Sequence, residues 1–365
     1  MIKGSILVVA VVWLAGACSA SSGNTGGNTG GMAGAAGSGG STATGGAPGT
    51  GGATSTGGVP ASGGATGGGG QAGGGGHAGG GGAGGLTAGC SSPSTYDQTV
   101  LCDQPVAYWA MKASGATEPD LIGSSAGTYK GTAPTTATLP NGDPAAHFDG
   151  VAGYLTIPSS PLLSVPTAHS LTWEAWINAD TLQFPHSSDG YVDWMGKCAD
   201  YGPTCEWEAR MYSTTNSESR PNRMSVYIFN SSAGLGSAAD WQPVDNLIKA
   251  SSWYHVVGEY TTLSAPSDCQ NTSTYPGSIN VWVNGVEWDH AQHGQTGCMS
   301  QYNVIPTANN SPLNIGTMAQ DTWFPGAVGK VAIYDKLLTQ AQITAHYTAM
   351  AGHAPTGSCA ATCSF

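Results

Sequence analysis

Residues 19–89 contain 33 glycines and not one Asp, Glu, Lys or Arg. Ser, Thr and Ala make up most of the remainder, so the stretch has no apolar periodicity and nothing to bury against the entropy of ordering. It is expected to be a disordered linker; as a Gly/Ser coil of ~71 residues its ends would lie roughly 45–50 Å apart. The G-x-G matches inside it are not phosphate loops, because no strand precedes them, no helix follows and no Lys stands by. Residues 90–365 hold nine basic against all 22 acidic residues, a net −13, together with ten of the eleven Trp. Only this part can build a core. Its acidic surface repels polyanions, which excludes nucleic acid as a partner.

Residues 1–18 read as an export signal. Lys3 supplies the positive start, and Ile6 to Ala17 is an apolar or small-residue run too short to span a ~30 Å hydrocarbon core comfortably. Leu14-Ala15-Gly16-Ala17-Cys18 resembles the lipobox of bacterial lipoproteins, which implies acylation of Cys18 and attachment to a membrane through that lipid alone. The match departs from the usual pattern in placing Ala15, not Leu, three residues before the Cys; cleavage near Ala17 or Ala20 is the alternative. Ser19 after the Cys resembles the sorting rule for the outer membrane, so an outer-membrane, cell-surface or extracellular location is expected.

From Pro105 onward, short apolar runs recur every ten to twenty residues between Gly, Pro, Asn and Ser, the pattern of an all-β sandwich. In 171–178, Leu171, Trp173, Ala175 and Ile177 alternate with Thr172, Glu174, Trp176 and Asn178. Ile279, Val281 and Val283 form one face of a strand that ends in an Asn284-Gly285 turn. Further strands are expected at 105–111, 145–149, 154–157, 191–196, 205–212, 224–229, 253–260, 312–316 and 331–335, about a dozen in all. One helical pattern appears: Thr339 caps a short helix carrying Ala341, Ile343, Ala345, His346 and Tyr347, which ends before Gly352.

These residues carry a family likeness. Pro105–Trp109, Phe148-Asp149-Gly150, Tyr154–Pro158, Ser170–Ile177, Trp253–Val257, Val283-Asn284-Gly285, Pro312–Gly316 and Gly326–Asp335 stand in order along 104–348. Together they resemble the laminin-G-like jelly rolls of the concanavalin A-like lectin/glucanase group. The resemblance implies two antiparallel sheets over 90–365 and a binding or adhesion module, often for glycans. Acidic residues that relatives carry after the first strand and within the last one fall here at Ala113 and Gly329-Lys330. No cofactor is required; Ca²⁺ is the one ion for which a ligand can be named, Asp149, though a turn residue before Gly150 is the better reading of that position.

Besides Cys18, eight cysteines suit disulfides in an oxidising compartment. Cys198 and Cys205 flank a Gly202-Pro203 turn, and Cys269 and Cys298 lie at similar distances on either side of Asn284-Gly285. Both spacings suggest pairs. Cys90, Cys102, Cys359 and Cys363 are expected to join among themselves, locally or end to end. Four-thiolate zinc binding lacks the paired spacing, and Asp289, His290 and His293 read as polar loop residues.

The one carboxylate pair at catalytic spacing is Glu206 and Glu208. At i and i+2 on a strand they lie roughly 7 Å apart, within the range that glycoside hydrolysis uses. Arg210 stands where a third acid would, and its charge would lower both carboxyl pKa values, the wrong direction for a general acid. The chain is therefore expected to be a non-catalytic monomer that binds a glycan or another cell-surface ligand. Glycan hydrolysis by Glu206 and Glu208, and adhesion to protein partners, are the alternatives. Trp109, Trp173 and Trp253 read as core, whereas Trp176, Trp241, Trp282 and Trp288 stand among polar neighbours and are the candidates for stacking on sugars.

Overall fold

The computed structural model describes residues 90–185, 190–199, 204–229, 236–241, 248–261, 278–287 and 306–356, with backbone only at 236–241 and 278. The leader, the Gly-rich segment, Cys18, Cys269, Cys298, Cys359, Cys363, Trp288, Asp289, His290 and His293 lie outside the described residues.

The alternating runs pair into two eight-stranded antiparallel sheets. The first contains β1 (Ala107–Trp109), β4 (Thr135–Thr138), β5 (Pro144–Asp149), β7 (Ser170–Ala179), β12 (Tyr254–Thr261), β13 (Ser278–Val283), β14 (Val286–Glu287) and β16 (Pro325–Tyr334). Its order is β14-β13-β12-β7-β16-β5-β4, with β1 also on β16. The second contains β2 (Thr117–Glu118), β3 (Gly127–Lys130), β6 (Tyr154–Ile157), β8 (Tyr191–Lys197), β9 (Trp207–Tyr212), β10 (Met224–Phe229), β11 (Gly236–Trp241) and β15 (Leu313–Ile315). Its order is β11-β10-β9-β8-β15-β6-β3-β2. The expected all-β sandwich is thus the observed one, with more strands than the sequence suggested.

The core lies between the sheets. Leu171, Trp173, Ala175 and Ile177 of β7 face inward, and Trp173 meets Trp194 edge-on at 5.6 Å and Trp207 stacked at 6.5 Å. Gly258 makes this possible: a Cβ there would lie 2.3 Å from the Trp173 ring. Asn284 and Gly285 adopt φ of 52° and 76°, the left-handed pair that a tight hairpin needs.

Three α-helices, α1 (Tyr96–Cys102), α2 (Val165–Ala168) and α3 (Gln340–Ala351), and one 3₁₀ turn, Pro161–Leu163, join the strands among the described residues. In α3 the Thr339 hydroxyl accepts the Gln342 amide, the Gln342 side chain accepts the Thr339 amide, and Gly352 closes the helix at φ 76°. Helix α1 is capped by Thr95 and tied at its end by a Cys90–Cys102 disulfide, the local choice for that cysteine. Cys198 and Cys205 are also bonded. Among the described residues no helix is long and apolar enough to cross a membrane.

Candidate functional site

The two sheets offer their outer faces differently. On the first sheet, Tyr96, Leu101, Ile343, Tyr347 and Met350 of α1 and α3 cover Trp176, Val257 and Trp282 in a second apolar cluster. This corrects the reading of Trp176 and Trp282 as surface platforms. Alternation places them on the outward face, but the helices leave them only 2% and 4% exposed. Trp176 stacks on His255 at 5.2 Å and on Tyr347 at 5.9 Å, and Trp282 Nε1 donates to Glu259 at 2.8 Å. Trp253, expected in the core, is half-buried at the edge of this cluster, its Nε1 donating to the Thr138 carbonyl at 2.9 Å.

Beneath the helices runs a buried polar chain that the sequence did not reveal. Glu174 Oε2 lies 2.9 Å from His255 Nε2 and 3.0 Å from His346 Nδ1, and Tyr334 donates to Glu174 Oε1 at 2.7 Å. His346 Nε2 lies 2.9 Å from Asp103. Burial opposes the charge of His346, but Glu174 and Asp103 on either side outweigh it and raise its pKa to about 9. Burial lowers the pKa of His255 against the pull of Glu174. Burial works to raise the carboxyl of Glu174, yet the charge of His346 and both imidazole bonds bring it well below the usual carboxylate range. Glu259, desolvated beside Trp282, is raised to about 7.

On the second sheet the outer face carries charge and aromatic rings together. A bulge between Asp193 and Met195 in β8 turns both Trp194 and Met195 to the core and leaves Asp193 facing outward opposite Arg210. Across the next strand Arg210 is opposite Ser225, and Glu208 is opposite Tyr227. Arg210 Nε reaches Asp193 at 2.8 Å and its Nη2 reaches Glu208 at 2.6 Å. The guanidinium carbon stands 4.0 Å from the Tyr191 ring centre, 5.0 Å from Tyr227 and 5.8 Å from Tyr212. Arg210 is thus a planar cation sandwiched by rings and spent on two carboxylates. Tyr191 and Tyr227 remain half-buried. The Ser225 hydroxyl is buried with no hydrogen-bond partner among the described residues.

The carboxylate pair of the sequence reading is divided. Glu208 faces outward with Arg210, whereas Glu206 precedes β9 and gives its carboxylate to Lys197 at 2.8 Å. Lys197 is opposite the inward Trp207, so these partners belong to the end of the core. The expected pKa direction is also overturned for Glu208: burial pushes its carboxyl well above the usual range, Arg210 opposes this, and Asp193 and Asp321 add to the rise. Trp241 ends β11 opposite Met224.

Asp149 serves its turn. Its Oδ1 accepts the amides of Val151, Ala152 and Gly153 at 2.9, 3.0 and 3.0 Å. At the departure from the family pattern in β16, Lys330 is buried, with its ammonium 2.6 Å from Asp97 and 2.7 Å from Asp143. The residues present do not fit a bound Ca²⁺ at either place: one oxygen is spent on the backbone, and a cation already sits between the acids. Among the described residues no three His, Cys, Asp or Glu side chains converge as a metal site. Gly123-Ser124-Ser125-Ala126-Gly127 matches a serine-nucleophile motif by letter, but it joins β2 to β3 and no helix follows it, so the strained strand-to-helix elbow is not formed.

Among curated proteins, none matches this chain. Similar solved structures include domain 4 of AbnA, a GH43 extracellular arabinanase from Geobacillus stearothermophilus, in complex with arabinotriose. It is 16% identical over 67% of this chain and 98% of that one, with a TM-score of 0.43. Another is the binding domain of botulinum neurotoxin DC in complex with rat synaptotagmin II, 11% identical over 68% of this chain and 52% of that one, at 0.47. A third is Trypanosoma rangeli sialidase in complex with sialic acid, 16% identical over 68% and 33%, at 0.42. A laminin-G family model described as the concanavalin A-like lectin/glucanases superfamily matches residues 149–344, more than half of the chain. With two antiparallel sheets and a closing helix in the expected order, the chain belongs to that superfamily.

Proposed function

We propose that this is an exported, cell-surface protein whose β-sandwich binds a glycan on the outer face of its second sheet, without transforming it. One observation carries the location: α1 and α3 cover the outer face of the first sheet, while the second presents half-buried Tyr191 and Tyr227 around Arg210. Tyrosine rings offer apolar faces to sugar C–H groups and hydroxyls to their polar edges. The test is a glycan array: the wild-type chain is expected to retain a defined set of glycans, and Tyr227→Ala to weaken it about tenfold. Retention unchanged in both Tyr227→Ala and Tyr191→Ala would remove the site.

The leader supports a surface address, with Cys18 acylated and the Gly-rich segment as spacer. Palmitate labelling of the expressed precursor is expected to disappear in Cys18→Ala; equal labelling in both would refute the anchor.

Hydrolysis is the second reading, favoured by one observation. Glu208, whose carboxyl burial pushes well above the usual range, and Asp193 flank the same arginine on this face. A raised carboxyl is what a general acid needs. Against it, Glu208 is 0% exposed and so out of reach of a glycosidic oxygen in this conformation. Release of reducing sugar that Glu208→Gln abolishes would establish this reading instead.

A further inference from the structure

Six of the eight tryptophans whose side chains the structure describes are buried: Trp109, Trp173, Trp176, Trp194, Trp207 and Trp282. Trp253 is half-buried with its indole N–H spent on the Thr138 carbonyl. Trp323 differs from all of them. It is half-buried, and among the described residues its one recorded partner is the ring of Tyr154, met edge-on at 5.8 Å and 65°. Its neighbours fix it from both sides. Thr322 accepts the Asp193 amide at 3.0 Å through its hydroxyl, and Phe324 is in the core with its amide on Gly316 at 2.9 Å. The backbone on both sides of the indole is thus tied to the sandwich.

Tyr154 belongs to the same outer face as the arginine cluster. In β6, Leu155 and Ile157 enter the core, so Tyr154 and Thr156 point the other way. Register continues that face across the strands: Thr156 is opposite Thr128 on one side and Asn314 on the other, and Lys130 is opposite Tyr154. Asn314 is buried, and its Oδ1 has no partner among the described residues. Two half-buried rings inclined at 65°, beside a row of hydroxyl and amide side chains, present an apolar face and polar groups together. A protein interior commonly places an indole N–H on an acceptor, as Trp109, Trp207 and Trp282 do here on the Ser125 carbonyl, the Leu163 carbonyl and Glu259.

We infer that Trp323 and Tyr154 form a saccharide-contacting platform on the outer face of the second sheet, taking an uncharged sugar ring. This rests on the glycan-binding reading and adds to it a subsite on β6 and the segment after β15, beside β8. The uncharged class follows from the charges on the page. The module as a whole is acidic, and Arg210 on this face is committed to Asp193 and Glu208. One lysine, Lys130, stands exposed across from Tyr154, and Asp321 is two residues from Trp323; a lone exposed ammonium is not a fork built for a carboxylate.

The test uses the full chain on an array of neutral oligosaccharides and uronate-containing ones of matched length. Wild type is expected to retain neutral glycans, Trp323→Ala to weaken them about tenfold, and Trp323→Tyr, which keeps a ring, to recover most of the loss. Unchanged binding in Trp323→Ala, or retention mainly of uronates, would overturn the platform while leaving glycan binding intact. If wild type retains no glycan, the underlying reading itself fails. Should Trp323→Ala fold poorly, Tyr154→Leu supplies the same comparison from the other ring.

Discussion

Arg210 holds together a face that would otherwise repel itself. Asp193 and Glu208 are both buried, and their shared cation is 8% exposed between tyrosine rings. Removing the guanidinium leaves two buried carboxyls without a counter-charge, so Arg210→Ala is expected to cost roughly 3–5 kcal/mol in urea unfolding. Arg210→Lys keeps the charge but not the fork, and should recover only part of this. The tryptophans separate stability from binding at the same scale. Trp176→Ala opens a cavity under α3, with an expected loss of about 3–5 kcal/mol, and leaves glycan affinity unchanged in whatever fraction remains folded. Tyr227→Ala should do the reverse. A Trp176→Ala protein that is stable but no longer binds would mean that the helix-covered face had been misassigned.

At the scale of elements, the helices are fastened by ionisable groups, and this makes docking pH-dependent. His346 is raised to about 9 from its ordinary 6.5, so its contribution is complete below pH 6.5 and is lost as pH rises through 9. That separation is worth roughly 3 kcal/mol. Glu259, raised to about 7, acts in the same sense over a lower window, its contribution complete below 4.5 and gone above 7. His255, lowered by burial, acts oppositely and loses its contribution as pH falls below 6.5; Glu174, depressed, loses its contribution progressively as pH falls below 4.5. Melting temperature is therefore expected to fall between pH 7 and 9, and His346→Gln to flatten that fall. A profile equally steep in the variant would contradict the assignment.

The sequence pattern shows why this layer was half legible. Alternation assigned Glu174 and Trp176 to one face of β7 correctly, and Thr339 and Gly352 marked both ends of α3. Neither pattern says what covers a face. Helix α1 is only Tyr96–Cys102, too short to establish a helical period, so the cover over Trp176 was invisible. Strand β4, Thr-Thr-Ala-Thr, and the two-residue β2 and β14 have too little apolar alternation to announce themselves. The face carrying Asp193 depends on a bulge in β8, and a one-residue irregularity leaves no mark in composition. Trp323 lies outside any strand, where periodicity assigns no direction at all.

Across the whole molecule the two outer faces divide their tasks. Cys90–Cys102, Lys330 with Asp97, and His346 with Asp103 bind the segment at residues 90–103 and the C-terminal helix to the first sheet. Residues 96–102 therefore pack on the side of the sandwich opposite Arg210. Hydrogen exchange reads that division directly. With a saturating glycan chosen from the array, amides in β6, β8–β10 and 317–324 are expected to gain protection, those of β12 and α3 to stay unchanged, and the glycan to be recovered intact. Protection confined to β12 and α3, or recovery of shortened sugar, would contradict it.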